Sequence, residues 1–294
     1  MSGRLDRVPP VLFVLAAALM WSTIGTSYRL ILDWFPELDS ISLVTIRAIG
    51  ATALLGLWLA WKRPAALHPP RSALPAFAIL GGSAVTGFYL VFGLAIEWSS
   101  VAVATVLLYL APAIVGVGGA LFLGERLTSR NVISIILAFT GCVFVVGLIG
   151  NVDDVTTKGV IAGLLSAATY ASFTLIGKPL MGRYPVDMTL FFHLLFGSAG
   201  LLAVALIWNG GIRATLPAVV VITLFNGIFN TLLPVASYTI GMRRMRAASA
   251  STIATLEPVL AILLAWMLLG ETLGALQLAG AGLVIAAVLL LART

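Results

Sequence analysis

Ten runs of about twenty apolar residues follow one another along this chain, at approximately 9–32, 40–61, 73–96, 99–123, 129–149, 159–180, 186–208, 215–241, 247–269 and 273–292. A helix needs about 20 residues, at 1.5 Å each, to cross the hydrocarbon core of a bilayer. The runs are continuously apolar rather than alternating, which argues against an outer-membrane barrel. The loops between them are short, as from Asp33 to Asp39, Lys62 to Ser72 and Gly150 to Lys158, and none has room for an extramembrane domain. Composition agrees: 61% of the 294 residues are hydrophobic and 10% charged, against roughly 25% charged in a soluble protein. A chain with so few charges cannot cover a soluble surface. The expected fold is an all-α membrane protein of ten transmembrane helices.

Arg4 and Arg7 ahead of the first run imitate a signal peptide, but the run continues to about Leu32, longer than such a segment. Basic residues set orientation. Arg4, Arg7, Lys62, Arg63, Arg71, Arg126, Arg130, Lys178, Arg183, Arg243, Arg244, Arg246 and Arg293 fall on one side. Lys158 and Arg213 fall on the other, with Arg29 near a helix end and the acids Asp33, Glu37, Asp39, Glu97, Asp153, Asp154 and Glu271. Thirteen against three places both termini in the cytoplasm of a multi-pass protein of a bacterial inner membrane. The net charge of +6 therefore belongs to helix-orienting loops and implies no nucleic-acid partner. Cys142, the one cysteine, has no intrachain partner.

The two halves resemble each other. At an offset of 146, Leu110-Ala111-Pro112 meets Leu256-Glu257-Pro258, Gly124-Glu125-Arg126-Leu127 meets Gly270-Glu271-Thr272-Leu273, Phe92 meets Tyr238, and Gly81 meets Gly227. Upstream the offset becomes 149, where Trp21 meets Tyr170, Arg29 meets Lys178 and Pro36 meets Pro185. Each half then holds five spans, so the second enters the membrane upside down. The expected organisation is residues 1–150 as a first five-helix repeat and 151–294 as a second, inverted one. Inverted repeats with a site near the midplane are an architecture of secondary transporters.

Ten spans in a 5 + 5 repeat, with Pro112 and Pro258 each followed by a Leu-Gly-Glu-x-Leu turn, resemble the drug/metabolite transporter superfamily and its EamA-like members. The segments that carry the likeness are Leu110–Leu127 and Leu256–Leu273, with Arg47 and Trp21, and it extends over nearly the whole chain. The pattern is most similar to bacterial aromatic amino acid exporters. The resemblance implies alternating-access export of small, partly apolar zwitterions. Small multidrug relatives carry a glutamate in the first span; residues 11–32 here contain no acid. That departure speaks against drug–proton antiport.

Glu257 is the only acid deep inside a span. An ionisable group at membrane depth is costly unless paired or wetted. It either binds a substrate amine or couples protons, or it caps a broken helix or pairs with Arg47. Arg47 either faces a substrate carboxylate, which its planar fork suits, or clamps backbone carbonyls, or snorkels. His193 relays protons or bonds a neighbouring helix. Trp34, Trp61, Trp98 and Trp208 lie at span ends, where an interfacial belt wants them. Trp21, Tyr89, Tyr109, Tyr170 and Tyr238 lie deeper and are cavity candidates. The eighth span carries a polar row, Asn226, Asn230, Pro234, Ser237 and Tyr238; the ninth carries Ser251, Thr255 and Pro258. A polar row on a membrane helix must face protein or water, and the two rows are expected to face each other across a cavity, unless they are interhelical glue. Pro112, Pro234 and Pro258 are candidate helix breaks, and Gly116, Ala120 and Gly124 a small-residue packing or sliding face.

Two histidines, one cysteine and scattered acids make no metal-ligand set, and no cofactor motif or nucleotide-binding P-loop is present. A prenyl-transfer enzyme would need clustered acids, and only Asp153-Asp154 comes close; a channel would need a ring of filter groups. The expected partners are a small-molecule substrate, an amino acid for preference over another metabolite or drug, and the lipid bilayer. Ten spans suffice for a complete monomer.

Overall fold

The computed structural model describes residues 8–147, 156–269 and 274–292. Arg4, Arg7, Arg293, Asp153-Asp154 and the Gly270-Glu271-Thr272-Leu273 turn lie outside the described residues. The protein is an all-α membrane protein of ten helices: α1 (Pro10–Trp34), α2 (Ser40–Lys62), α3 (Arg71–Trp98), α4 (Val101–Phe122), α5 (Ser129–Val145), α6 (Thr157–Arg183), α7 (Val186–Asn209), α8 (Leu216–Arg243), α9 (half-helices Ala247–Ala254 and Glu257–Leu269) and α10 (Ala275–Ala292). Nine are long and apolar enough to cross a membrane; α5 is described for 17 residues. Polar caps start several of them. Asp39 accepts from the Ser42 N–H at 2.8 Å, and Thr128 with Asn131 forms a capping box ahead of α5. Leu57, Leu121, Phe122, Ile207, Leu216 and Met267 stand exposed on the outside, a surface that suits hydrocarbon rather than water. Trp34, Trp61, Trp98 and Trp208 are exposed at helix ends.

Several spans are not continuous α-helices. α4 breaks at Tyr109–Leu110 and α9 at Thr255–Leu256. Pro112 and Pro258 are each the second residue of the half-helix that follows, a place where the missing N–H costs no intrahelical bond. α1 is interrupted at Thr23. α3 and α8 pass through π-helical turns at Gly82–Gly87 and Ile222–Leu232. Pro234 follows the second of these directly and produces no break, because the wider turn ahead of it takes up the lost bond.

The main helix pairings come in reciprocal couples: α1 with α8 and α6 with α3, α2 with α8 and α7 with α3, α1 with α9 and α6 with α4. α2 with α7, α4 with α9 and α5 with α10 complete the set. Exchanging the first five helices for the last five maps these pairings onto themselves. Glycines permit the closest approaches. A Cβ on Gly81 of α3 would lie 2.5 Å from the His193 carbonyl of α7, and one on Gly227 of α8 3.3 Å from the Ala51 nitrogen of α2. The supposed sliding face on α4 is different from expectation. Gly116, Gly118 and Gly119 are buried, whereas Ala120 is exposed and Gly124 is a turn residue at φ +66 beyond the helix end. The helix ends at Phe122, so a four-residue row cannot continue through Gly124.

Among the described residues, loops join with loops of the same parity. Arg63 pairs with Asp187 at 2.9 Å, and Arg244 Nη1 donates to the Val8 carbonyl at 3.0 Å. At the opposite end Asn209 donates to Asp39 at 2.8 Å, the Arg213 N–H to Ser42 at 3.0 Å, and Thr156 to the Trp98 carbonyl. The bundle thus has a basic end and an acidic end. If the basic end is cytoplasmic, single cysteines at Ser72, Ser129 and Gly182 should resist an impermeant thiol reagent added outside intact cells, and ones at Asp33 and Thr215 should label. All five sites are exposed, whereas Met181 beside Gly182 is buried and would report nothing. Native Cys142 is buried and silent. The reverse labelling pattern would overturn the orientation.

Candidate functional site

A central cavity of about 610 Å³ opens between the two halves. Its wall reaches the acidic end of the bundle at Ser40, Ile96 and Val101 and runs inward to Tyr238 and Ser251. Helices α1 to α4 and α6 to α9 contribute to it, and α5 and α10 do not. The wall is rich in aromatic rings. On the α1–α8 side Trp21 packs on Tyr238 with centroids 5.6 Å apart, and Phe173 meets Tyr238 at 6.0 Å and His193 at 5.0 Å. On the α3–α6 side Phe88 meets Tyr89 at 5.0 Å, Tyr170 at 5.4 Å and Phe92 at 5.6 Å. Trp21, Tyr170, Phe92 and Tyr238, which correspond in pairs between the halves, all face this one space. The Tyr238 hydroxyl is satisfied by Thr174 at 2.9 Å.

Of the other residues singled out from the sequence, Tyr89, Tyr109, Asn230, Thr255, Glu257, Arg47, His193 and Pro112 also border the cavity. Asn226, Ser237, Pro234 and Pro258 do not. Asn226 and Asn230 in the polar row of α8 bond to α1, while Asn230 and Tyr238 share the cavity wall with Ser251 and Thr255 of α9. Asn226 accepts from Ser27 at 3.1 Å and from Asn230 at 2.8 Å; Asn230 also donates to Ser27 at 2.9 Å and accepts from Thr23 at 3.0 Å. A buried amide needs partners inside the protein; the hydroxyls of Thr23 and Ser27 on the adjoining helix serve Asn230 and the Asn226 oxygen, while Asn226 Nδ2 has no partner. Thr255 gives its hydroxyl to the Thr252 carbonyl at 2.6 Å, closing the α9 break. His193 is buried and donates to the Leu80 carbonyl on α3, with Nδ1 unpartnered.

Two charged side chains share the cavity. Arg47, 5% exposed, does not reach the surface. Its guanidinium lies 5.1 Å from the Tyr89 ring and 5.7 Å from the Tyr28 ring, both within cation–π range. Its Nε and Nη1 bond no backbone carbonyl or side chain. Glu257 opens the second half of α9. Among the described residues it forms no ion pair with Arg47.

At the basic end a three-way clasp stands below the cavity. Lys178 of α6 donates to Glu125, which follows α4, and to the Met245 carbonyl at 2.6 Å. The other Glu125 oxygen accepts the Ala247 N–H at the start of α9, at 2.7 Å. One carboxylate therefore ties α4, α6 and α9 together, at a helix N-terminus where negative charge is favoured.

The EamA-like transporter family model matches residues 8–147 and again residues 157–293. The chain belongs to the EamA-like transporter family. Relatives extend over almost the whole of this EamA-like chain. The threonine/homoserine exporter RhtA of Escherichia coli (strain K12) is 26% identical, covering 98% of this chain and 93% of its own length. A probable terminal-alkyne amino-acid exporter of Streptantibioticus cattleyicolor is 24% identical over 93% of this chain and 90% of its own. An uncharacterized transporter of Archaeoglobus fulgidus is 29% identical over 87% and 90%. A solved crystal structure superposes with a TM-score of 0.80 over 97% of both chains at 18% identity, a likeness of fold.

Helical spacing offered a signal for the wall residues that sequence reasoning missed. Tyr28 lies seven residues after Trp21, Phe173 three after Tyr170 and Phe88 four before Phe92; each shares a face with a residue already recognised. The Glu125–Lys178 clasp joins residues 53 apart and had no local signal.

Proposed function

We propose that this chain is a secondary transporter that exports amino acids, aromatic or otherwise apolar, across a bacterial inner membrane by alternating access. The observation that carries the reading is the central cavity, built by helices of both halves, lined by aromatic rings and carrying one arginine and one glutamate. Its volume falls within the range of small-molecule sites. An aromatic wall favours an apolar side chain, and a cavity holding both signs of charge does not select a net cation. Two relatives bear the names of amino-acid exporters. The two halves, 1–150 and 151–294, act as inverted repeats that rock about the cavity. With the basic end cytoplasmic, the conformation described is open away from the cytoplasm and clasped toward it.

Counterflow in proteoliposomes tests this. Labelled phenylalanine should accumulate transiently in vesicles preloaded with unlabelled phenylalanine, tryptophan or methionine, and a quaternary ammonium drug should support at most a tenth of that uptake. Repeating the assay with an imposed pH gradient shows whether protons are coupled. If an ammonium drug drives counterflow and no amino acid does, the substrate reading is wrong.

A further inference from the structure

We infer that the cavity binds an amino acid in one fixed polarity, with its carboxylate on Arg47 and Tyr28 and its ammonium on Glu257. The inference rests on the amino-acid reading above and adds the pose and the residues that select it. A buried guanidinium ordinarily spends its donors on carbonyls or a carboxylate. Arg47 spends neither Nε nor Nη1, although it is 5% exposed and on the cavity wall. The Tyr28 hydroxyl, on the same wall and beside the same guanidinium, is also buried and unpartnered. These donors form a place for an anion with two oxygens. The tyrosine rings flanking Arg47 hold the guanidinium over their faces and so position it without consuming its hydrogen bonds.

The cation position follows from Glu257. It is the acid on the same wall, and no described side chain bonds or pairs with it. Arg47 stands seven residues into α2 from the acidic end, whereas Glu257 stands ten residues into α9 from the basic end. The two charges lie on different helices and form no ion pair with each other. A ligand carrying both charges satisfies both residues. One lacking either charge leaves an ionised group desolvated, which is the costly alternative. The ring pairs of Trp21 with Tyr238 and of Phe88 with Tyr170 line the remaining wall and receive the side chain. Neither charge alone defines the cargo: an arginine without the glutamate would accept a simple carboxylate, and the reverse would accept an amine.

Competition against labelled phenylalanine counterflow separates the two contacts. The competitors are phenylalanine, phenylalanine amide, which lacks the carboxylate, and 3-phenylpropanoate, which lacks the ammonium. In the unaltered protein both analogues should compete at least about tenfold more weakly than phenylalanine, the loss expected for an unmade charge-assisted contact. Tyr28→Phe and Arg47→Lys should weaken phenylalanine several-fold and leave the amide unchanged. Glu257→Gln should weaken phenylalanine about tenfold and leave 3-phenylpropanoate unchanged. Tyr28→Phe removes a single oxygen and keeps the test valid should the Arg47 variant fold poorly. A merely structural role for these residues would lower all three competitors together, and that result would overturn the pose. Equal competition by the amide in the unaltered protein would overturn the pose while the amino-acid reading stood. Failure of any amino acid to exchange would overturn both.

Discussion

Replacing Glu125 with glutamine should release the basic end of the bundle and cut counterflow at least about tenfold. The Glu125 carboxylate serves two partners at once, the Lys178 ammonium and the Ala247 N–H, and Lys178 in turn holds the Met245 carbonyl. Both side chains of the pair are 19% exposed, so the interaction is only partly screened. Glutamine keeps one acceptor oxygen but no charge, and leaves either the ammonium without its counter-charge or the N–H without an acceptor, at a cost of about 1–3 kcal/mol. That energy adds to the apolar packing of α4, α6 and α9 below the cavity. Its loss shifts the balance between conformations, and a transporter biased toward one of them cycles slowly. A cysteine at Ser251, at the inner end of the cavity wall, reads the change directly. In inside-out vesicles it should react with an impermeant thiol reagent several-fold faster once Glu125 is glutamine. The exchanged pair Glu125→Lys with Lys178→Glu should not restore the original rate, because a lysine at 125 cannot accept from Ala247. Full restoration would show that the ion pair alone matters; unchanged labelling and flux in Glu125→Gln would remove the clasp from the mechanism.

Substituting Gly141 or Gly280 should damage the fold without altering what the cavity prefers. These glycines face each other where α5 meets α10. A Cβ on Gly141 would come within 2.6 Å of the Gly280 carbonyl oxygen, and a Cβ on Gly280 within 2.6 Å of the Gly141 oxygen and 2.9 Å of the Val145 nitrogen. Backbone atoms cannot rotate out of the way, so the helices must separate. In a membrane close helix approach is itself a main source of association. Overpacking costs about 1–3 kcal/mol for a small intrusion and more for a large one. Gly141→Ala and Gly280→Ala should therefore lower the thermal midpoint in detergent, and leucine at either site should abolish recovery of folded protein. Gly282, on the same helix with nothing within 4 Å of its Cβ position, is the control: alanine there should be neutral or slightly stabilising through helix propensity. Because no residue of α5 or α10 lines the cavity, the surviving alanine protein should keep the competition order of phenylalanine over its analogues. A changed order would show that the α5–α10 pair reaches the binding space.

The ten helices, the grouping of loops into two ends and the aromatic makeup of the centre were legible in the sequence. Continuous apolar runs of membrane length leave the backbone no other way to satisfy its hydrogen bonds, and residues recurring at matching offsets mark equivalent places, as Trp21 and Tyr170 do. The tilt of individual faces was not legible. Asn226 and Asn230 announce a polar stripe, and periodicity puts them on one face, but only the neighbouring helix decides whether that face meets water or Ser27 and Thr23. Pro112 and Pro258 predict broken helices, whereas Pro234 does not break α8, because the π-turn ahead of it absorbs the missing bond. Glu257 and Arg47 stand out by their charge alone, yet the same two residues would read as a structural ion pair until the packing is known. Residue order alone thus tells which segments are apolar enough to cross the membrane and which side chains are too polar to face lipid, since transfer free energy acts residue by residue. Packing settles which of those polar groups satisfy one another and which stay unpartnered, since that depends on distances between helices that no local pattern encodes.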